Sequence, residues 1–152
     1  MFVIEKKGDH VANLVYLLGG TELIREKIKS AFDLITLSNK GLKKASLDAL
    51  VGHMGMTKKN FAEDILNLSV KTLERKKGDD LLDKHTSSHI IEVAKVVEHA
   101  FEVFEDETRV QKWLNTPNRA LNQMKPLELF YIPTGLSMVD QVLGRIEEGV
   151  YS

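Results

Sequence analysis

Residues 113 to 152 read WLNTPNRALNQMKPLELFYIPTGLSMVDQVLGRIEEGVYS, and this stretch holds all three prolines and the single tryptophan of the chain. Helix breakers concentrated in this way predict short, punctuated helices in place of one long element. Pro117 and Pro126 each stand where a short helical turn begins. Pro133 ends the run Leu127 to Ile132, because the residue before a proline is pushed out of the helical region. A final helix is expected to start near Gly135, to bury Leu136, Val139, Val142, Leu143 and Ile146 at three- and four-residue spacing, and to stop at Gly149. Only Val150, Tyr151 and Ser152 follow, which sets an aromatic ring and a carboxylate just beyond a helix stop. That end is expected to dock on something.

Upstream lies the clearest helix in the chain. Ile90, Ile91, Ala94, Val97, Phe101 and Phe104 recur as i, i+1, i+4, i+7, i+11 and i+14, predicting a helix from Thr86 to Ser88 through about Glu105. Its stripe is wide enough to serve as core, as a self-association seam, or as both, and core is the favoured use. A shorter helix from about Glu107 to Asn115 sets Val110, Trp113 and Leu114 against it. The segment from Asp79 to His85 is polar and acidic and reads as a connector.

From Ser46 to Gly78 the pattern is three short helices. The first buries Leu47, Leu50, Val51 and Met54, with Ser46 as N-cap and Gly55 as stop. The second follows Thr57 and buries Phe61, Ala62, Ile65 and Leu66. Asn67, Leu68 and Ser69 make a turn in which Asn tolerates a left-handed backbone. The third starts from Ser69 as N-cap, turns Val70 and Leu73 inward, and stops near Gly78. Two short helices joined by a short turn form a helix-turn-helix pattern. Its register is long by one residue when counted from Ala62. Ser69, Lys71, Thr72, Arg75 and Lys76 then lie where such a helix meets DNA: Arg offers a bidentate fork to guanine, Thr a hydroxyl or methyl contact, and Lys charge. The other reading is a plain three-helix packing unit with its lysines on a wet face.

Composition is that of a globular protein, with 43% hydrophobic and 28% charged residues in a chain of 152. The absence of cysteine excludes disulfides, thiolate metal sites and cysteine catalysis. No apolar run is long enough to span a membrane, and the start MFVIEKKGDH lacks a signal peptide's apolar core, so a cytoplasmic protein is expected. The net charge of −1 hides an asymmetry: residues 1–78 carry fourteen basic and nine acidic side chains, residues 79–152 seven and thirteen, or +5 against −6. A basic half can follow a phosphate backbone while an acidic half stays off it, although the same charges also suit two merely solvated faces.

The N-terminal part is less informative. Val11, Leu14, Val15 and Leu18 give one helical face closed by Gly19 and Gly20. A second helical pattern runs from Thr21 through Leu23, Ile24, Ile28, Phe32, Leu34, Ile35 and Leu37, with a break near Ser30, and Gly41 marks a turn.

The order Trp-Leu at 113, Pro-Asn at 117, Ala-Leu at 120, Met-Lys-Pro at 124, Leu-Glu-Leu at 127, Thr-Gly at 134 and LGRIEEGVYS at 143 resembles the toxin-binding domain of Xre/MbcA/ParS-type antitoxins. The resemblance covers roughly residues 90 to 152, and the upstream helix-turn-helix extends it to about residue 40; residues 1 to 35 match least. Where Gln123 stands the family often has glycine. The resemblance implies an antitoxin that neutralises a RES-domain toxin, an enzyme consuming or transferring from NAD, and represses its own operon.

The expected architecture is therefore all-α: a helical extension (1–40), an Xre-like helix-turn-helix DNA-binding domain (41–84) and a compact helical toxin-binding domain (85–152). Arg145, Glu147, Glu148, Gly149, Val150, Tyr151 and Ser152 are the expected toxin-binding residues, and operator DNA and a RES-domain toxin the expected partners. A homodimer is expected too, because one helix-turn-helix reads few bases. Arg145 has a second, structural reading, in which it pairs with an acid of its own helix or caps carbonyls of the turn around Asn118; for Arg119 a structural role is favoured over toxin contact. His85, His89 and His99 lack the flanking pattern of a metal site, and Glu147 and Glu148, one apart, do not face each other as an acid/base pair would. No Gly-rich phosphate loop or nucleophile elbow is present, so no catalytic residue, metal or cofactor is expected. The alternative function is a helix-turn-helix transcriptional regulator whose C-terminal domain senses a ligand or a protein.

Overall fold

The computed structural model of the chain describes residues 9–149. These residues form an all-α fold around the helix α6, Lys84–Phe104, which packs against α1 (His10–Leu17), α2 (Ala31–Lys40), α3 (Lys44–Met54), α7 (Glu107–Leu114) and α8 (Pro133–Glu147). Between α3 and α6 come α4 (Lys58–Asn60), which runs on as a π turn (Phe61–Ile65), and α5 (Val70–Glu74). Between α7 and α8 lie two 3-10 turns, Arg119–Leu121 and Pro126–Leu129. One apolar cluster joins Leu14 and Leu17 of α1, Leu50 of α3, Phe101 of α6 and Val139 of α8, so both halves of the chain share a core.

α6 is longer than its apolar stripe. Asp83 caps it two turns ahead of Ile90, accepting the Thr86 backbone N–H at 2.8 Å and the Thr86 hydroxyl at 3.0 Å, so the helix starts at Lys84, ahead of the expected Thr86. These bonds hold the Asp83 carboxyl below the usual range. The helix ends where Glu105 takes a left-handed φ of 59°. The expected connector is no loose linker: Leu82 is buried and its N–H donates to the Leu42 carbonyl at 2.8 Å, while Lys44 and Ala45 donate to the carbonyls of Asp80 and Gly78. Each of these backbone groups would otherwise be orphaned near the core.

Several boundaries differ from expectation. α3 begins at Lys44 and Ser46 is buried inside it, so Ser46 is not its N-cap. Residues 21 to 30 make turns; the helix starts only after Ser30, where Asp33 accepts the backbone N–H groups of Lys29 and Ser30. Phe32 and Ile35 of α2, two members of the expected helical apolar pattern, are 79% and 55% exposed. Val11 is exposed as well. The second of the three short helices carries the surplus residue counted from Ala62: it widens into a π turn in which Leu66 N–H reaches the Phe61 carbonyl at 3.1 Å, the usual structural form of a one-residue insertion. Asn67 makes the turn at φ 55°, as expected.

The C-terminal stretch is punctuated as expected, with shifted stops. Pro126 opens a 3-10 turn. Pro117 does not; the turn near it starts at Arg119, where the Asn118 side chain accepts the Ala120 N–H at 2.9 Å. Pro133 is the first residue of α8, preceded by an extended Ile132 (φ −140°, ψ 142°), so the helix begins before Gly135. Gly135 has a different duty: a Cβ there would run into the carbonyl oxygen of Leu129. Leu136, Val139, Val142 and Leu143 are buried, and Ile146 packs on their edge.

Candidate functional site

α5 is one and a half turns long and is held in place by little. Leu73 alone of its side chains is buried, and the Ser69 hydroxyl accepts the Lys71 N–H at 3.2 Å as an N-cap. It ends at Glu74, short of the expected Gly78, because the following residues turn back to pair with α3. With Leu73 inward, Lys71, Thr72 and Arg75 are brought together on the exposed side with Ser69 at the start. Lys76 does not join them. Its ammonium donates to the Leu81 carbonyl at 3.3 Å and the residue is half-buried, so it braces the turn behind the helix.

The far end of α8 carries the second group of expected contact residues. Arg145 is exposed and forms no ion pair among the described residues, against the reading that pairs it with an acid of its own helix. Glu148 is the C-cap and Gly149 adopts φ 79°, so the helix stops there. Glu147 is engaged: its carboxylate accepts from His99 Nε2 at 3.2 Å. Val150, Tyr151 and Ser152 lie outside the described residues.

His99 was legible only as a weak metal candidate, and its role differs. Its Nδ1 lies 2.6 Å from Asp140 while Nε2 faces Glu147, so one imidazole of α6 spans two turns of α8. Burial pulls its pKa down, but the hydrogen bonds and charges of the two carboxylates outweigh this and raise it above the ordinary value. His89 gives its Nε2 hydrogen to the Phe130 carbonyl at 2.8 Å, which seats the turn ahead of α8.

A neighbouring cluster was not foreseen. His10 of α1 bonds to both oxygens of Glu98 at 3.0 and 3.1 Å, and Glu102 lies one turn further along α6. Ligand atoms of His10, Glu98 and Glu102 fall within 4.8 Å of one another, a donor set that a divalent cation can use. Glu98 and Glu102 are buried. The bond to Glu98 raises the His10 pKa, and burial raises that of Glu98 despite the histidine beside it. The only sequence signal was a pair of acids four apart on a helix, which ordinarily reads as a wet face.

α7 is tied to the end of α3. Gln111 of α7 donates to the His53 carbonyl at the end of α3 at 3.0 Å, and its side chain packs on Gly55. No helix among the described residues is long and apolar enough to cross a membrane.

Comparison with known families gives two matches in chain order. Residues 33–95 match the model described as the antitoxin Xre-like helix-turn-helix domain, which contains α3, α4 and α5. Residues 99–149 match the antitoxin Xre/MbcA/ParS C-terminal toxin-binding domain, which contains α7 and α8. No curated protein matches the chain. With a DNA-binding type of helix pair and a toxin-binding domain meeting on one shared helix, the chain belongs to the Xre/MbcA/ParS-type antitoxins.

Proposed function

We propose that this antitoxin inhibits a RES-domain, NAD-consuming toxin with the C-terminal end of α8 and, as a cytoplasmic homodimer, represses its own operon through α5. The observation that carries the reading is the pair of family matches in that order on one chain. The division of labour follows it: residues 41–84 contact DNA and residues 85–152 contact the toxin.

On the DNA side, Arg75 and Thr72 approach base edges, Lys71 the phosphates, and Ser69 holds the helix start. Lys76 acts by bracing the turn. So short a helix reads few bases, which favours two copies on paired half-sites. On the toxin side, a NAD-handling enzyme must hold a pyrophosphate in a concave site rich in cationic donors. Glu148 together with Glu147 brings acidic charge to that cleft, Arg145 pairs at its rim, and the segment Gly149 to Ser152 with the Tyr151 ring occupies the place of the dinucleotide. Inhibition is then steric and electrostatic, with no chemistry by the antitoxin.

The test is a double assay on one variant. Replacing Lys71, Thr72 and Arg75 together by alanine is expected to abolish the operator shift at fixed salt and to leave inhibition of NAD consumption intact. Unchanged operator affinity contradicts the assignment of α5.

A further inference from the structure

α1 and α6 come from different parts of the chain: α1 lies ahead of the segment that matches the helix-turn-helix model, and α6 is the helix that both halves share. Where the two pack together, three side chains converge. His10 opens α1, its place fixed by the Asp9 carboxylate, which accepts the Ala12 N–H at 3.0 Å. Glu98 and Glu102 stand one turn apart on α6 and therefore share a face. From His10 Nδ1 the two Glu98 oxygens lie at 3.0 and 3.1 Å, and Glu102 Oε1 lies at 3.9 Å. Asn13, one turn further along α1, donates its side-chain amide to the same Glu102 oxygen at 3.4 Å and so helps to aim it.

These spacings are those of metal ligands. Donor atoms about 2.1 Å from a tetrahedral ion stand about 3.4 Å from one another, within the range that His10, Glu98 and Glu102 span. The Glu98 and Glu102 side chains are only 7% and 5% exposed, whereas His10 is 63% exposed, so the carboxylates are buried charge and the imidazole is the open side. His10 and Glu98 also line a cavity of about 420 Å³, which gives an ion a way in. The cations beside that cavity are already matched, Lys95 by Glu92 at 3.5 Å and His99 by Asp140 and Glu147. An imidazolium brings one positive charge to the two carboxylates. A divalent ion brings two, and takes the imidazole as a neutral donor.

We propose that His10, Glu98 and Glu102 form a binding site for a divalent transition-metal ion, zinc ahead of manganese, that joins α1 to α6. The ion takes the place of the hydrogen that His10 shares with Glu98, and water on the open side completes its coordination. One imidazole with two carboxylates suits zinc. Magnesium and calcium, which take oxygen donors, fit it poorly. Neither DNA nor the toxin has any part in the site.

The test is calorimetric titration of the full chain, stripped with a chelator, with zinc, manganese and magnesium salts. The wild type is expected to bind one zinc ion per chain, manganese more weakly, and magnesium not measurably. His10→Ala and Glu102→Gln are each expected to weaken zinc by at least about tenfold, and His85→Gln, which removes an exposed histidine elsewhere, to leave it unchanged. Because His10 is exposed and the new amide in Glu102→Gln still accepts from Asn13, both variants are expected to keep the wild-type circular-dichroism signal. Zinc is also expected to raise the thermal midpoint of the wild type and not that of His10→Ala. The site is overturned by a wild type that takes up no zinc, by uptake that His10→Ala or Glu102→Gln leaves intact, by uptake that depends on His85, or by magnesium bound as tightly as zinc.

Discussion

α5 and α8 are both surface helices with work assigned to their exposed residues, yet they are built on opposite terms. α5 has five residues, one buried side chain and a serine cap; α8 has fifteen residues and buries Gly135, Leu136, Val139, Val142 and Leu143. The first is a short tab set on the fold by the bonds of its flanking turns. The second is part of the core. A protein that must read a regular duplex needs only a few side chains at a fixed height. The cleft-plugging role proposed for α8 would need a stiff rod, and α8 is fastened along its length by apolar packing and by the His99 clamp.

The contrast is sharpest where a change affects both helices at once. Phe101, fully buried on α6, belongs to the cluster that serves both. Phe101→Ala is expected to cost about 3–5 kcal/mol of stability, read by chemical denaturation, and to weaken operator binding and toxin inhibition together. If only one function fell, the two halves would be independent units. Arg75→Ala tests one helix alone. It is expected to cost about 1–3 kcal/mol at the operator and to relax base preference, with denaturation midpoint and toxin inhibition unmoved.

Gln123 offers a gain. With φ 66° it stands in the left-handed region next to Asn122 at φ 57°, where a residue with a Cβ is strained by roughly 1 kcal/mol. Gln123→Gly is expected to raise stability by a little less than that, since glycine also loosens the unfolded chain. A clear destabilisation would show that the Gln side chain makes a contact worth more than the strain. Smallest of all is Lys76→Ala. With its ammonium on the Leu81 carbonyl, it is expected to change operator affinity by well under the cost of Arg75→Ala, as a gel shift run beside that variant would register.

The sequence was most legible where periodicity and capping chemistry agree. The stripe from Ile90 to Phe104 is α6, the Ser69 cap starts α5, and Asn67 makes the left-handed turn between α4 and α5. Periodicity misled where apolar residues lie outside the core. Ile24 is buried in a turn, not a helix, and Phe32 and Ile35 continue the α2 pattern while facing outward. Pattern alone gives the spacing of such residues, not the direction from which other helices arrive. The same limit hid the clamp. Asp140 and Glu147 lie forty-one and forty-eight residues beyond His99, and no local rule connects them. Lys76 could be placed on the exposed side of a helical wheel, but no local rule showed that the turn after α5 brings the Leu81 carbonyl to its ammonium.

The central claim is that the end of α8 and the residues after it silence the toxin. The most direct measurement is NAD consumption by the toxin, titrated with the full chain and with a chain ending at Gly149. The account predicts that the shortened antitoxin keeps its helical circular-dichroism signal and its operator binding while NAD consumption returns. A shortened chain that inhibits as well as the full one would contradict it.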